Sequence, residues 1–296
     1  MGAIERIFPT TEKVAFKRLG VEFDDNAANT LWLSMKAETP HAILNFSLPI
    51  LRELRQALHT FKAVPLIRRP DGGIGPIHYA VLCSEHRSYF NLGGDLRHFR
   101  QCLRKRDSDS LRKYSMLCLD VMLEWTHCGS QHMTTIALVQ GKAHGGGFET
   151  ALGADYLVAE EHSVFGFPEI MFGLFPCSGG MELLARRVGV YQAERMLTNG
   201  KTYSAAELQE LGIVDLVCAK GQGRQAVTEF IAHHAKRRDA RQAVQRSRYR
   251  TAQLNASGMS ASVDEWVRLA MGLSPEELRV MDLLILMQER ASRTAA

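Results

Sequence analysis

The chain has 296 residues, of which 46% are hydrophobic and 23% charged, and its formal net charge is +4. These values predict a globular protein with a sizeable core, and so small a charge excess gives no reason to expect a nucleic-acid or membrane partner. No apolar run reaches the roughly 18 residues that span a bilayer, and the N-terminus lacks the apolar segment of a secretory signal. The six cysteines are scattered without a CxxC pair, which favours reduced thiols and a cytoplasmic location.

The first half of the chain alternates predicted strands and helices. Apolar runs at 30–35 and 79–83 predict strands, and leucines at helical spacing predict an amphipathic helix over 46–61. A long helical region is expected over 97–126, interrupted by the charged stretch 104–109.

The strongest local signal lies between residues 134 and 169. A buried strand at 136–139 precedes four glycines within seven residues, followed by a predicted helix over 148–154 and a second strand over 156–159. Glycines between a strand and a helix let the main chain approach a ligand closely and leave N–H groups free at the positive end of the helix. Such a turn suits a group that is anionic or becomes anionic during a reaction.

Beyond the central stretch the pattern becomes mainly helical. A helix is predicted over 204–211, with Ser204 as its cap and Glu207 at the capping-box position. A strand follows at 213–217, and residues 224–292 have only helical patterning. This order predicts an α/β fold with a parallel sheet and a helical C-terminal region.

Two glutamates in the central stretch are candidates for acid–base chemistry. Glu149 lies in the first turn of the predicted helix, and Glu169 lies in an apolar frame 20 residues later, which leaves room for one helix and one strand to fold back. A carboxyl group in apolar surroundings tends to stay protonated, whereas one at a helix N-terminus tends to stay ionised. Such an asymmetric pair suits acid–base catalysis, although a single glutamate is more often simply solvated.

Other motifs give weaker signals. The glycine cluster could serve only to pack a tight turn. It does not match the dinucleotide-binding motif GxGxxG, because Thr150 stands where the third glycine is required. Cys177 and Ser178 could be nucleophiles, but the surrounding PCSGG is no GxSxG elbow. The spacing of His127, Cys128 and His132 matches no zinc pattern, so we expect no metal site.

Three further features each admit a structural and a functional interpretation. His144, beside the glycines, could contact a ligand or serve the fold alone. The segment 236–250 carries seven basic residues against one acid, which suits either a solvated helix face or a docking surface for an acidic partner. Trp266 and its apolar neighbours predict either core and subunit contacts or the wall of an acyl tunnel.

The glycine turns and the two acids resemble the crotonase (enoyl-CoA hydratase/isomerase) superfamily. The resemblance is carried by FNLGGD (90–95), GGGFE (145–149), AD (154–155), FPE (167–169) and LGIV (211–214). It implies a crotonase-like ββα spiral core, which we place over 1–220, with a helical region over 221–296 for the acyl-pocket wall and oligomer contacts. It implies Glu149 and Glu169 as catalytic residues and the amides of Gly94 and Gly146 as an oxyanion hole. The substrate-binding residues that we expect from it are Leu92, Gly93, Gly145, Phe172 and Trp266.

Within the superfamily the chain looks most like the bacterial diffusible signal factor synthases. FNLGGDL (90–96), ALVQG (137–141), VAEE (158–161) and LRVMDLLILMQERASR (278–293) resemble that subgroup. This implies dehydration of a 3-hydroxyacyl chain on acyl carrier protein and release of a cis-2-enoic fatty acid signal. The resemblance implies no cofactor. It does imply a homo-oligomer, either a trimer or a hexamer.

Two alternatives stay open from the residues. One is an enoyl-CoA hydratase or isomerase that acts on CoA esters in fatty-acid metabolism. The other is a regulatory binding partner of a signalling receptor, which the basic segment allows, although an intact acid pair favours chemistry.

Overall fold

A computed structural model describes residues 4–5, 13–14, 16–39, 42–63, 66–68, 74–86, 88–128 and 132–294 of the chain. The described residues form fourteen β-strands and eleven α-helices, numbered along the chain. They confirm an α/β fold with a helical C-terminal region.

The larger sheet has six strands. They are β3 (Leu19–Asp24), β4 (Thr30–Met35), β7 (Tyr79–Ser84), β9 (Thr134–Val139), β11 (Tyr156–Glu160) and β14 (Leu216–Cys218). Their order is β14-β11-β9-β7-β4-β3, and all neighbours run parallel except β3 and β4. Every residue of β7 and β9 is buried, as expected for central strands of a sheet covered on both faces.

The smaller sheet has four short strands. They are β8 (Tyr89–Asn91), β10 (Lys142–His144), β12 (Val164–Gly166) and β13 (Thr202–Ser204). Their order is β13-β12-β10-β8; β8, β10 and β12 run parallel, and β13 is antiparallel. Two antiparallel pairs stand apart, β1 (Ile4–Glu5) with β2 (Lys13–Val14) and β5 (Leu66–Arg68) with β6 (Ile74–Pro76).

The helices before residue 220 surround the two sheets. They are α1 (Leu48–Ala63), α2 (Leu96–Lys105), α3 (Ser108–Cys128), α4 (Gly146–Leu152), α5 (Gly180–Val188), α6 (Val190–Thr198) and α7 (Ala205–Glu210), with a 3₁₀ helix at Pro168–Phe172. The predicted interruption of the long helical region is real, because Arg106 adopts a left-handed conformation (φ 52°) between α2 and α3. The predicted capping box of α7 is also confirmed, with Ser204 and Glu207 bonded reciprocally.

Four helices form the C-terminal region. They are α8 (Gly223–Ala235), α9 (Arg238–Thr251), α10 (Ala256–Met271) and α11 (Pro275–Thr294). Helix α9 is joined to the larger sheet by the buried carboxylate of Asp155, which accepts hydrogen bonds from the Tyr249 hydroxyl (2.9 Å) and from Arg248. Helix α10 packs against α3, and the Trp266 ring lies 5.0 Å from the ring of Phe99 on α2. No helix in the described ranges is long and apolar enough to cross a membrane.

Candidate active site

Three parallel strands of the smaller sheet end at one edge and bring the predicted site residues together. Strand β8 leads into the turn that contains Gly94, and its neighbour β10 leads into the turn that contains Gly146 and then into α4, which carries Glu149. Strand β12, on the other side of β10, leads directly to Glu169. The carboxyl ends of adjacent parallel strands lie side by side, so Gly94 and Glu169, 75 positions apart in the chain, meet at this edge.

The first glycine turn is held by hydrogen bonds at almost every amide. The N–H of Leu92 donates to the Leu44 carbonyl (2.9 Å), and the N–H of Gly93 donates to Oδ1 of Asn91 (2.8 Å). The Gly93 carbonyl in turn accepts from the N–H of Phe46 (2.8 Å). The amide of Gly94 has no hydrogen-bond partner among the described residues, so it is free to bind a ligand.

The second glycine turn lies against the first. A Cβ atom on Gly93 would stand 2.9 Å from the nitrogen of Gly146, and one on Gly147 would stand 2.1 Å from the Asn91 carbonyl oxygen. Glycine is therefore required where the two turns touch. Gly146 is the first residue of α4, where main-chain amides lack partners within the helix, and its amide has no acceptor elsewhere among the described residues.

Glu149 is buried, with 2% of its surface exposed. Its Oε1 atom accepts hydrogen bonds from the main-chain amides of Ser178 (2.9 Å) and Gly180 (2.8 Å). Because both donors point at Oε1, this oxygen is the acceptor of the carboxyl group and a proton, when bound, sits on Oε2. The acid is thus oriented by main-chain groups.

Glu169 lies in the 3₁₀ helix, and its carboxyl group packs on Gly145. A Cβ atom on Gly145 would stand only 2.2 Å from Oε1 of Glu169. The Oε2 atom of Glu169 is buried and has no hydrogen-bond partner. This oxygen is therefore free to take a proton from a bound molecule.

The protonation pattern differs from the one expected from the sequence. Burial and the nearby charge of Glu169 raise the pKa of Glu149 to about 8, and burial raises the pKa of Glu169 to about 7. The expectation that Glu149 stays ionised is wrong, because loss of hydration outweighs the two amide donors and the helix N-terminus. Both carboxyl groups therefore titrate close to neutral pH.

A cavity of about 390 Å³ brings these groups together. Seven of the nine predicted site residues line it, namely Leu92, Gly94, Gly146, Glu149, Glu169, Phe172 and Trp266. Gly93 and Gly145 do not line it; they form the contacts between the two turns and beneath Glu169. Much of the remaining wall is apolar, with Leu96, Phe99, Val121, Met122, Phe175, Leu284 and Met287.

The sequence did not predict the function of the PCSGG loop. Ser178 supplies an amide to Glu149 rather than a nucleophilic hydroxyl, and burial raises the pKa of the Cys177 thiol well above its usual value. The pair of glycines that follows Ser178 was the available signal, because a Cβ on Gly180 would stand 3.2 Å from Oε1 of Glu149. Adjacent glycines often mark such a close main-chain approach.

His144 also lines the cavity. Burial lowers its pKa to about 4, and its Nε2 atom is buried without a hydrogen-bond partner. The imidazole is therefore neutral at physiological pH. Within the described ranges, no three His, Cys, Asp or Glu side chains are grouped to hold a metal ion.

A family model and several known proteins match this chain. The family model described as Enoyl-CoA hydratase/isomerase matches residues 29–264. The Probable enoyl-CoA hydratase of Rhizobium meliloti is 32% identical over 180 residues, which are 61% of this chain and 62% of that protein. The matched segment is thus less than two thirds of that relative's length.

Solved structures show the same fold. An enoyl-CoA hydratase from Bacillus halodurans superposes with a TM-score of 0.71 at 20% identity, over 90% of this chain and 98% of that one. Pseudomonas aeruginosa DspI superposes with a TM-score of 0.66 at 23% identity, over 90% and 96% of the two chains. With two glycine turns and two buried acids around one cavity, and with a family match over most of its length, the chain belongs to the enoyl-CoA hydratase/isomerase family.

Proposed function

We propose that the protein dehydrates a medium- to long-chain 3-hydroxyacyl thioester to the cis-2-enoyl thioester and then releases the free fatty acid. The observation that carries this proposal is the pair of buried carboxyl groups, both titrating near neutral pH, beside two free amides in one apolar cavity. Acid–base catalysis is most effective when the pKa of each group lies near the working pH.

The two free amides suit a thioester carbonyl. With its oxygen between the N–H groups of Gly94 and Gly146, the carbonyl would become an enolate when C2 loses a proton. A single preorganised donor of this kind contributes about 2.7–4 kcal/mol to transition-state stabilisation. Both amides are fixed by their turns, so little reorganisation is required as the charge develops.

The two carboxyl groups divide the proton transfers. Glu169 takes the C2 proton through its unpartnered oxygen, and Glu149 donates a proton to the departing 3-hydroxyl group, which leaves as water. The proton gained by Glu169 and the proton lost by Glu149 balance, and exchange with solvent restores the starting state.

Release of the fatty acid would reuse the same amides. Water adds to the thioester carbonyl, the oxyanion is held by Gly94 and Gly146, and the thiol of the carrier leaves with a proton. Either glutamate could activate this water.

Variants of the two acids test the proposal. Glu149→Gln and Glu169→Gln should each lower formation of the 2-enoic acid from a 3-hydroxyacyl carrier-protein substrate by roughly 10²–10⁴-fold. Glu210→Gln, at the exposed end of α7, is the matched control and should retain full activity. Product is measured by mass spectrometry, and full activity in both folded acid variants would contradict the assignment.

A second candidate is hydration or isomerisation of enoyl-CoA esters, which the name of the rhizobial relative favours. In hydration the same residues would act, with water adding to C3 rather than leaving it. Matched CoA and carrier-protein substrates distinguish the two functions. A trans-2-enoyl-CoA product without free acid would favour this candidate.

The carrier that we propose is an acyl carrier protein, with CoA as the alternative. Acyl carrier proteins are acidic, and exposed cations on the described surface offer charge complementarity, including Arg104 and Lys105 at the end of α2 and Arg246 and Arg250 on α9. A signalling protein that binds the same basic surface stays a prediction from the sequence.

A further inference from the structure

The hydroxyl group of Tyr114 connects two segments that form the first glycine turn. Tyr114 lies on α3 and is 1% exposed. Its hydroxyl accepts a hydrogen bond from the N–H of Asp95 (2.9 Å) and donates one to the carbonyl of Phe46 (2.5 Å). Burial raises the pKa of this phenol well above its usual value, so the hydroxyl keeps its proton and both bonds at any working pH.

These two bonds complete a pattern that leaves a single amide free. The N–H groups of Leu92, Gly93 and Asp95 are each bonded, to Leu44, to Asn91 and to Tyr114 respectively. Gly94 lies between the last two donors, so the direction of its free N–H follows from the bonds on either side. The Tyr114 hydroxyl reaches the C-terminal side of the turn from α3, where it bonds the residue directly after Gly94.

The aromatic ring of Tyr114 supports the turn as well. Phe99 packs edge-on against Tyr114, with ring centroids 5.2 Å apart. A Cβ atom added to Gly94 would stand 2.6 Å from Cζ of Phe99. Gly94 is thus enclosed between the cavity and an aromatic layer. That layer continues to Trp266.

We propose that Tyr114 is a positioning residue that aims the Gly94 amide at the enolate oxygen through its bonds to Asp95 and Phe46. The proposal rests on the proposed role of the Gly94 amide. Tyr114→Phe keeps the ring and the packing but removes the hydroxyl that bonds both the Asp95 amide and the Phe46 carbonyl. The two segments are then still joined by the bridge between Phe46 and Gly94, but the turn can relax. Small displacements of a group at the reacting centre cost up to about 10²-fold in rate.

The test measures enolate formation independently of the overall reaction. A saturated acyl thioester of acyl carrier protein, and the matching acyl-CoA in parallel, are incubated in D₂O, and deuterium uptake at C2 is followed by mass spectrometry. Tyr114→Phe should slow this exchange about 10- to 100-fold with little change in the half-saturating thioester concentration. The matched control is Tyr249→Phe, which removes a hydroxyl bonded to Thr126 and Asp155 away from the cavity, and it should exchange at the wild-type rate.

A second measurement keeps the test decisive if the variant is unstable. Incorporation of 4-aminophenylalanine at position 114 preserves the ring and a donor but weakens the acceptor, and it should give an intermediate exchange rate. Hydrogen exchange of the Asp95 amide should speed up at least about tenfold in Tyr114→Phe and stay unchanged in Tyr249→Phe.

The possible outcomes separate this inference from the proposed function. Exchange within about twofold of wild type in Tyr114→Phe, with an unchanged Asp95 amide, would overturn the inference. If the wild type exchanges deuterium at C2 but does not dehydrate 3-hydroxyacyl thioesters, the proposed function fails, while slower exchange in Tyr114→Phe still supports the inference. If the wild type exchanges none on either carrier, the inference fails together with the enolate step of the proposed function.

Discussion

The raised pKa of Glu149 makes stability depend on pH. The folded protein keeps a proton on this group up to about pH 8, whereas in the unfolded chain the proton is lost near the usual glutamate pKa of 4.5. Because the folded state binds more protons between these values, the free energy of unfolding falls as the pH rises through that range. Glu149→Gln removes the titration and keeps an oxygen for the amides of Ser178 and Gly180.

We therefore expect the Tm of Glu149→Gln, relative to wild type, to increase between about pH 5 and pH 8. Thermal unfolding followed by circular dichroism at both pH values checks this, with Glu210→Gln as the control. A Tm difference that does not change with pH would show that Glu149 titrates normally.

A methyl group on Gly145 should move Glu169 and also strain the main chain, because Gly145 has a positive φ of 50°. The added Cβ meets Oε1 of Glu169 at 2.2 Å, and a carboxyl group at the end of a flexible side chain can shift at small cost. We expect Gly145→Ala to lower activity roughly 10- to 100-fold. Gly221→Ala is the control, because Gly221 has a positive φ of 78° but nothing within 4 Å of an added Cβ. Equal activity in the two variants would contradict a dependence on the position of Glu169.

Both glutamates and both glycine turns could be predicted from the sequence, but their surroundings could not. The amides that bind Glu149 come from residues 29 and 31 positions away, and nothing in local periodicity reports such a contact. The protonation of Glu149 was mispredicted for the same reason, since complete burial is a property of the folded chain.

The elements that position the site are the ones that sequence patterns reveal least. Strands β8, β10 and β12 have three residues each, which is too short for a hydrophobic alternation to be recognised. The long strands β4, β7 and β9 and the helices α2 and α3 were predicted to within a few residues, because each carries a full apolar pattern. The predicted helix over 148–154 begins earlier, at Gly146, since glycine propensity gave no indication of a helical first turn there.

The attachment of α9 to the larger sheet should depend on Asp155. This buried carboxylate accepts bonds from the Thr135 amide (2.9 Å), from Tyr249 and from Arg248. Asp155→Ala leaves these donors without an acceptor and should lower the free energy of unfolding by about 3 kcal/mol. Urea unfolding measures the change. Asp239→Ala, whose side chain is 98% exposed, should change it by less than about 0.5 kcal/mol, and similar values for the two variants would contradict this role.

At the scale of the whole molecule, we predict that the apolar face of α11 is covered by a second copy of the chain. Leu283, Leu286 and Met287 are 58%, 49% and 65% exposed, and Met171 of the 3₁₀ helix, which α11 contacts, is 55% exposed. Contiguous apolar surface of this kind marks an interaction site, and symmetric homo-oligomers are the commonest assemblies.

The combined change Leu283→Glu and Leu286→Glu should convert an oligomer into smaller species in sedimentation velocity experiments. Val244→Glu, which places a charge at an exposed apolar position on α9, should leave the assembly intact. An unchanged sedimentation coefficient in the double variant would contradict the prediction.

The cavity itself could not be predicted from the sequence, because the residues that line it come from almost the whole length of the chain. Phe46 and Gln288 line the same space although 242 residues separate them. The sequence predicted an apolar C-terminal face containing Trp266, and the fold determines that this face closes the cavity.

The contribution of α11 to this wall has a consequence for biosynthesis. Chains emerge from the ribosome N-terminal end first, so both acids and both glycine turns are made well before Leu284 and Met287 close the space around them. Until then the nascent chain presents apolar surfaces such as Leu96 and Phe99 to water. Chaperone engagement should therefore be strongest on ribosome-stalled chains that end before residue 275, and it should fall once α11 can dock.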